Sequence, residues 1–245
     1  LTVAPNVRWH QEWGAGVDWL LRFPELAQRD LIVTNASGVH AVPISEHIMA
    51  FLLSFARGFP LQIRNMADSR WKGPTRRNPL FELEGTTMLL IGVGAIGERT
   101  AKLAEAHGIK VIGMRRRPSV SAPHVAEMIG PDALLDYLPQ ADFVVLTVPL
   151  TPETRGMIGE RELKAMKESA FIVNIGRGGT IDEPKLIQAL QEGWIRGAGL
   201  DVVAEEPLDE NSPLWGIENV IITAHYSGRT PRYTCLLYTS DAADE

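Results

Sequence analysis

Short apolar and β-branched runs alternate with helical periodicities along most of the chain. Runs at Val7–His10, Leu31–Thr34, Thr87–Ile91, Lys110–Gly113, Phe143–Leu146, Phe171–Asn174, Gly197–Asp201 and Val220–Thr223 predict strands. Several are apolar at every position, as strands covered on both faces are. Helical spacing predicts helices over Trp19–Gln28, interrupted or restarted at Pro24, and over Ile44–Ser69, Ile96–Ala106, Ala133–Leu138, Glu160–Ala165 and Glu183–Glu192. Pro43 or Ser45 suits the opening of the second of these. Such alternation predicts an α/β fold, a doubly wound parallel sheet of Rossmann type with helices on both faces.

The helix expected over Ile44–Ser69 would run for about seven turns, long for one domain and long enough to cross between two. It gives way to a polar stretch with Pro and Gly, Arg70–Pro79. A boundary is therefore placed near Val42. Residues 1–41 carry only two strands and a helix, too little for an independent sheet with a core, so they are expected to be the remnant of a second, incomplete domain. Residues 42–229 are expected to form the larger, nucleotide-type α/β domain with its interdomain helix, and 230–234 to begin a return segment. The last residues, Cys235–Glu245, break from the punctuation before them and resemble the translation of a sequencing-library adapter. They are expected to stand outside the fold, in a chain truncated at both ends.

Charge and composition narrow the function classes. With 24 Lys plus Arg against 30 Asp plus Glu, a net charge of −6 and no basic block longer than three residues, no footprint for nucleic acid or an anionic membrane is visible. The longest apolar stretch, Ile48–Ala56, is too short to span a bilayer. Cys235 is the only cysteine, so no internal disulfide forms and a reducing, cytoplasmic setting is expected.

The chemistry begins at Thr87–Gly97, where an apolar strand runs into Gly92-Val-Gly94-Ala95-Ile96-Gly97 and then a helix. The first glycine permits a tight turn, the second lets backbone approach a pyrophosphate, and the third allows close helix–strand packing. The phosphate would sit on the helix N-terminus. About twenty residues on, where an acidic residue usually accepts from the ribose hydroxyls of NAD, the chain reads Arg115-Arg116-Arg117. Guanidinium groups bind a 2′-phosphate where a carboxylate would repel it. NADP(H) is therefore favoured, with NAD(H) possible. Three further segments follow apolar strands: Asn174-Ile175-Gly176-Arg177, Asp201 to Glu206, and Ala224-His225 to Gly228. Residues just past strand C-termini face the crevice of such sheets, so Arg177, Glu206 and His225 are expected to converge there.

Taken in order, these motifs resemble the D-isomer-specific 2-hydroxyacid dehydrogenase family over nearly all of residues 7–233. Further matches are Gly14-Ala15-Gly16-Val-Asp18, Ser45-Glu46-His47 and Val148-Pro149 to Thr154. The resemblance implies a nucleotide domain inserted in a flavodoxin-like substrate domain. It implies Arg177 as the substrate-binding arginine, His225 as the acid/base and Glu206 as its paired acid, with amides around Ala15 and Gly16 holding the substrate carboxylate. Asp201 would contact the nicotinamide carboxamide, while Pro149, Thr154, Ile175 and Gly228 would line the cofactor channel. Imidazole suits proton transfer in both directions of a reversible reaction. The implied activity is reduction of a small 2-oxo acid such as glyoxylate or hydroxypyruvate to the D-2-hydroxy acid, by a homodimer when full length. Two alternatives stay open: an NAD-linked dehydrogenase of phosphoglycerate type, and a non-catalytic nucleotide-sensing module of the same fold. His40 and His47 are placed beside the cleft without a role, and Trp13 is a candidate substrate contact.

Overall fold

A computed structural model of the chain describes residues 6–17, 19–20, 23–76, 79–235 and 238. Outside them lie residues 1–5, Asp18 of the expected Gly14–Asp18 turn, Leu21 and Arg22 of the expected first helix, Arg77 and Asn78 of the polar stretch, and the 235–245 tail apart from Cys235 and Tyr238.

Two parallel sheets are present among the described residues. The smaller pairs β1 (Trp9–Glu12) with β2 (Ile32–Asn35), in the register Trp9 to Ile32. The larger contains β3 (Thr87–Ile91), β4 (Lys110–Met114), β5 (Glu127–Ile129), β6 (Phe143–Leu146), β7 (Phe171–Asn174), β8 (Gly197–Leu200) and β9 (Val220–Ile222). Its order is β5-β4-β3-β6-β7-β8-β9, every pair parallel. From β3 the chain winds outward through β4 and β5, then returns to β6 on the other side. That reversal leaves a crevice beyond the strand C-termini, where ligands bind in open α/β sheets.

Strand alternation divides the core. Met88 and Leu90 of β3 point to one face, packed with Ile48, Phe51 and Leu52 of α1 (Ala41–Ala56) and with Ala101 and Ala104 of α3 (Ala95–Ala106). Leu89 and Ile91 point to the other, with Leu163 of α5 (Glu160–Ala165) and Leu186 and Ala189 of α6 (Glu183–Glu192). Both faces being buried, the apolar runs of β3, β6 and β7 are continuous.

The expected helix over Ile44–Ser69 is instead two helices, α1 and α2 (Phe59–Ala67). Gly58 between them takes a left-handed conformation, φ 67° and ψ 26°. Pro60 follows and has no N–H to bond the carbonyl of Ala56 four residues earlier. That carbonyl accepts instead from the amide of Phe81, 3.1 Å away. Around Pro24 a 3-10 turn, Pro24–Gln28, stands where a helix was expected to restart. The Ala133–Leu138 helix is reduced to α4 (Leu134–Tyr137), flanked by 3-10 turns at Pro131–Ala133 and Leu138–Gln140. The first strand begins two residues later than expected, because its ladder starts where the amide of Ile32 donates to the carbonyl of Arg8. Edge strand β5 has no apolar run behind it and exists by pairing with β4. Among the described residues no helix is long and apolar enough to cross a membrane.

Candidate active site

A cleft of about 780 Å³ opens at the C-terminal ends of β3, β6 and β7. Gly94, Ala95, Ile96 and Gly97 form one wall, with Pro149 beyond β6 and Ile175 to Arg177 beyond β7. His225 and Gly228, from the loop after β9, close the floor, and Trp13, Ala15, Gly16 and His40 approach from the N-terminal side.

The glycine turn has the geometry its spacing suggests. Gly92 has φ 101°, and a Cβ there would stand 2.7 Å from Cγ1 of Val148. A Cβ on Gly97 would run into the carbonyl of Gly92, so helix α3 seats against the turn only with glycine there. At Gly94, which caps α3 and lines the cleft, a Cβ would meet nothing within 4 Å: the space beside the helix N-terminus is open. First-turn amides of a helix have no intrahelical partner and attract anions.

His225 and Glu206 come together from different loops, with Nδ1 of the imidazole 2.7 Å from Oε2 of the carboxylate. Oε1 of Glu206 accepts from the amide of Val203 at 3.3 Å, which fixes the carboxylate at its other end. His225 has φ 50°, a left-handed conformation uncommon outside glycine. Its amide donates to the carbonyls of Asp201 (2.9 Å) and Thr223 (3.1 Å). Arg177 is set by buried Asn174, whose amide group donates to the Arg177 carbonyl at 3.0 Å and accepts from the Gly176 amide at 3.0 Å. The guanidinium itself donates to the Gly176 carbonyl at 2.8 Å. Burial pushes the His40 imidazole below its ordinary range, so this cleft-lining ring is neutral at pH 7.

Ala15, Gly16, Gly94, Ala95, Ile96, Gly97, Pro149, Ile175, Arg177, His225 and Gly228 thus meet in one cleft. Other expected site residues do not stand on its wall. Gly92 lies beneath the turn, and Glu206 is reached through His225. The Thr154 hydroxyl donates to the carbonyl of Pro149 at 2.7 Å and closes its own loop. Arg115 is held by the carbonyl of Val93 and by Glu98 of α3, at 2.5 Å each, while Arg116 is exposed. Asp201, expected at the carboxamide, is enclosed: Oδ1 accepts from the Thr223 hydroxyl (2.6 Å) and the Tyr226 amide (3.1 Å), and Oδ2 from the Ser227 amide (3.1 Å). It anchors the loop that carries His225. Sequence reasoning passed over Asn174 and Thr223 as site-building residues; their signal was their place at the ends of β7 and β9.

A profile for the D-isomer-specific 2-hydroxyacid dehydrogenase NAD-binding domain matches residues 49–227. The chain is 36% identical over 234 residues to a glyoxylate reductase of Thermococcus litoralis, covering 93% of this chain and 69% of that protein. It is 39% identical over 220 residues to a D-3-phosphoglycerate dehydrogenase of Methanocaldococcus jannaschii, covering 89% of this chain but only 41% of that protein's length. Among solved structures, a D-isomer-specific 2-hydroxyacid dehydrogenase of Xanthobacter autotrophicus in complex with NADPH and MES superposes with a TM-score of 0.84 at 30% identity. That match covers 97% of this chain and 73% of the other.

Proposed function

Because this chain belongs to the D-isomer-specific 2-hydroxyacid dehydrogenase family, we propose that it reduces a small 2-oxo acid of the glyoxylate or hydroxypyruvate type with NADP(H), His225 serving as proton donor. The observation that carries the reading is the 2.7 Å contact between His225 Nδ1 and Glu206 Oε2 at the cleft floor. With Nδ1–H donated to Glu206, Nε2 is left to give its proton to the substrate carbonyl oxygen. Arg177 binds the substrate carboxylate and favours the negative charge that develops on the carbonyl oxygen. Amides at Ala15 and Gly16 hold the carboxylate from the N-terminal side, so residues up to the boundary near Val42 serve as a piece of the substrate domain.

The residues present fit a dinucleotide. Open space at Gly94 beside the α3 N-terminus suits a pyrophosphate, cradled by Gly94, Ala95, Ile96 and Gly97, with Gly92 beneath them setting the turn. A dinucleotide held in this way would supply, from its nicotinamide, the hydride needed at the carbonyl carbon. Pro149, Thr154, Ile175, Asp201 and Gly228 shape or support its channel. Exposed Arg116 takes the 2′-phosphate, and Arg115, braced by Val93 and Glu98, backs it. NADPH in the Xanthobacter relative supports this choice.

Oxidation of NADPH by glyoxylate or hydroxypyruvate tests the activity. In His225→Gln turnover falls by about 10²- to 10⁴-fold, the contribution of a positioned proton donor, while NADPH affinity stays nearly unchanged. Loss of NADPH binding in that variant would make the histidine structural instead. A clear preference for NADH in the parent protein would overturn the role given to the arginines.

A further inference from the structure

His47 lies on α1, off the cleft wall, with Nε2 3.0 Å from the hydroxyl of Thr223. Its ring packs edge-on against Phe51 of the core and Tyr226 of the His225 loop, with centroids 4.7 and 5.7 Å apart. Thr223 and Tyr226 flank His225 on either side in the chain.

Proton counting orients this contact. Both Asp201 oxygens accept backbone N–H groups, and Oδ1 also takes the Thr223 hydroxyl proton at 2.6 Å. A hydroxyl has one proton, so the hydrogen at the His47–Thr223 contact comes from His47 Nε2. One tautomer is therefore selected, Nε2–H with Nδ1 bare. Burial lowers the affinity of this ring for a second proton and the nearby Asp201 carboxylate opposes that only in part, so the neutral form prevails at pH 7.

Hydrogen bonds thus run from His47 of α1 through Thr223 to Asp201, which also accepts from the amides of Tyr226 and Ser227. His225 sits inside this ring of bonds in a left-handed conformation that a non-glycine residue holds only when its surroundings impose it. We infer that His47 is a positioning residue for His225: its Nε2–H bond to Thr223 and its packing on Tyr226 lock the loop that presents the imidazole to substrate. The inference rests on His225 being the proton donor.

The test compares His47→Leu, His47→Gln and Thr223→Val in the full chain. Deleting one such bond is worth roughly tenfold in rate, so His47→Leu lowers kcat with NADPH and glyoxylate by about that factor. KM for NADPH should stay within about twofold of the parent, because the glycine turn is untouched. His47→Gln, which restores an N–H donor, recovers most of kcat. Thr223→Val removes this bond and also the one to Asp201, so adding it to His47→Leu costs more than His47→Leu alone but less than the product of the two single effects, because the His47–Thr223 bond is lost only once. An unchanged kcat in His47→Leu overturns the inference, as does a His47→Gln variant no better than Leu. Should His47→Leu not fold, His47→Phe, which keeps a ring against Phe51 and Tyr226 but has no N–H to donate, takes its place in the comparison. Imidazole NMR separates this inference from the activity itself. If the parent protein turns over no 2-oxo acid, the proposed function fails, yet His225 ring resonances must still shift in His47→Leu and return in His47→Gln. Resonances that do not move overturn the positioning role.

Discussion

Arg115, Arg116 and Arg117 are indistinguishable as a run of letters, yet Arg115 is half-buried while Arg116 and Arg117 are exposed. Arg115 is occupied by the Val93 carbonyl and by Glu98, seventeen positions earlier in the chain. Two outcomes follow from this division of labour. Arg116→Asp raises KM for NADPH by roughly tenfold to a hundredfold, the range of a charge-assisted hydrogen bond replaced by repulsion, and leaves KM for NADH little changed. Arg115→Gln weakens both cofactors alike, because its contacts brace the glycine turn and not the phosphate alone. Michaelis constants for both nucleotides check this, and a selective effect of Arg115→Gln would reverse the assignment. Arg177, Glu206 and His225 were legible as a trio because each follows an apolar strand, but their hydrogen bonds were not. The enclosed state of Asp201 was equally hidden, since its donors at Thr223, Tyr226 and Ser227 lie more than twenty residues downstream.

Strands β3, β6 and β7 match their sequence reading residue for residue, because burial on both faces leaves an apolar run with sharp ends. The α1–α2 break was missed because apolar spacing continues across Gly58 and outweighs the Gly-Phe-Pro signal. Gly58→Ala tests the break: with φ 67° and Leu80 Cδ2 2.9 Å from the added Cβ, unfolding free energy drops by about 1 kcal/mol or more. Chemical denaturation measures it. Between α5 and α6, Glu160 bonds Lys164 (2.6 Å) and Lys185 (2.7 Å), which hold its carboxyl down at about 2. A folded-state value below the ordinary 4.5 adds stability above that ordinary value, and this is lost as pH falls toward 2. Lys185→Met is accordingly less stable than the parent at pH 7 and equal to it near or below pH 2. A deficit that persists in acid would show that the lysine acts through packing instead.

Across the whole molecule, the cleft joins segments from both sheets, so ligand binding and folding are coupled. Saturating NADPH at about a hundred times its dissociation constant stabilises the fold by about 2.7 kcal/mol, read as a rise in Tm that Gly97→Val abolishes. Elsewhere on the surface, Phe59, Ile63 and Met66 form an exposed apolar row along α2, and Trp71 beyond it is fully exposed. Were the homodimer expected from the sequence to cover this row, Ile63→Glu would shift the sedimentation coefficient to that of a monomer without changing cofactor affinity. The amino-acid pattern sufficed for the parallel α/β sheet, the glycine turn and the residues that end its strands, because these follow from local periodicity and from groups close together in the chain. Which arginine is held, where α1 stops, that Asp201 is sealed beneath the loop and that His47 reaches Thr223, 176 positions away, depend on contacts between distant segments. Such contacts exist only once the layers have packed, and hydrogen bonds made there leave no periodic trace in the chain.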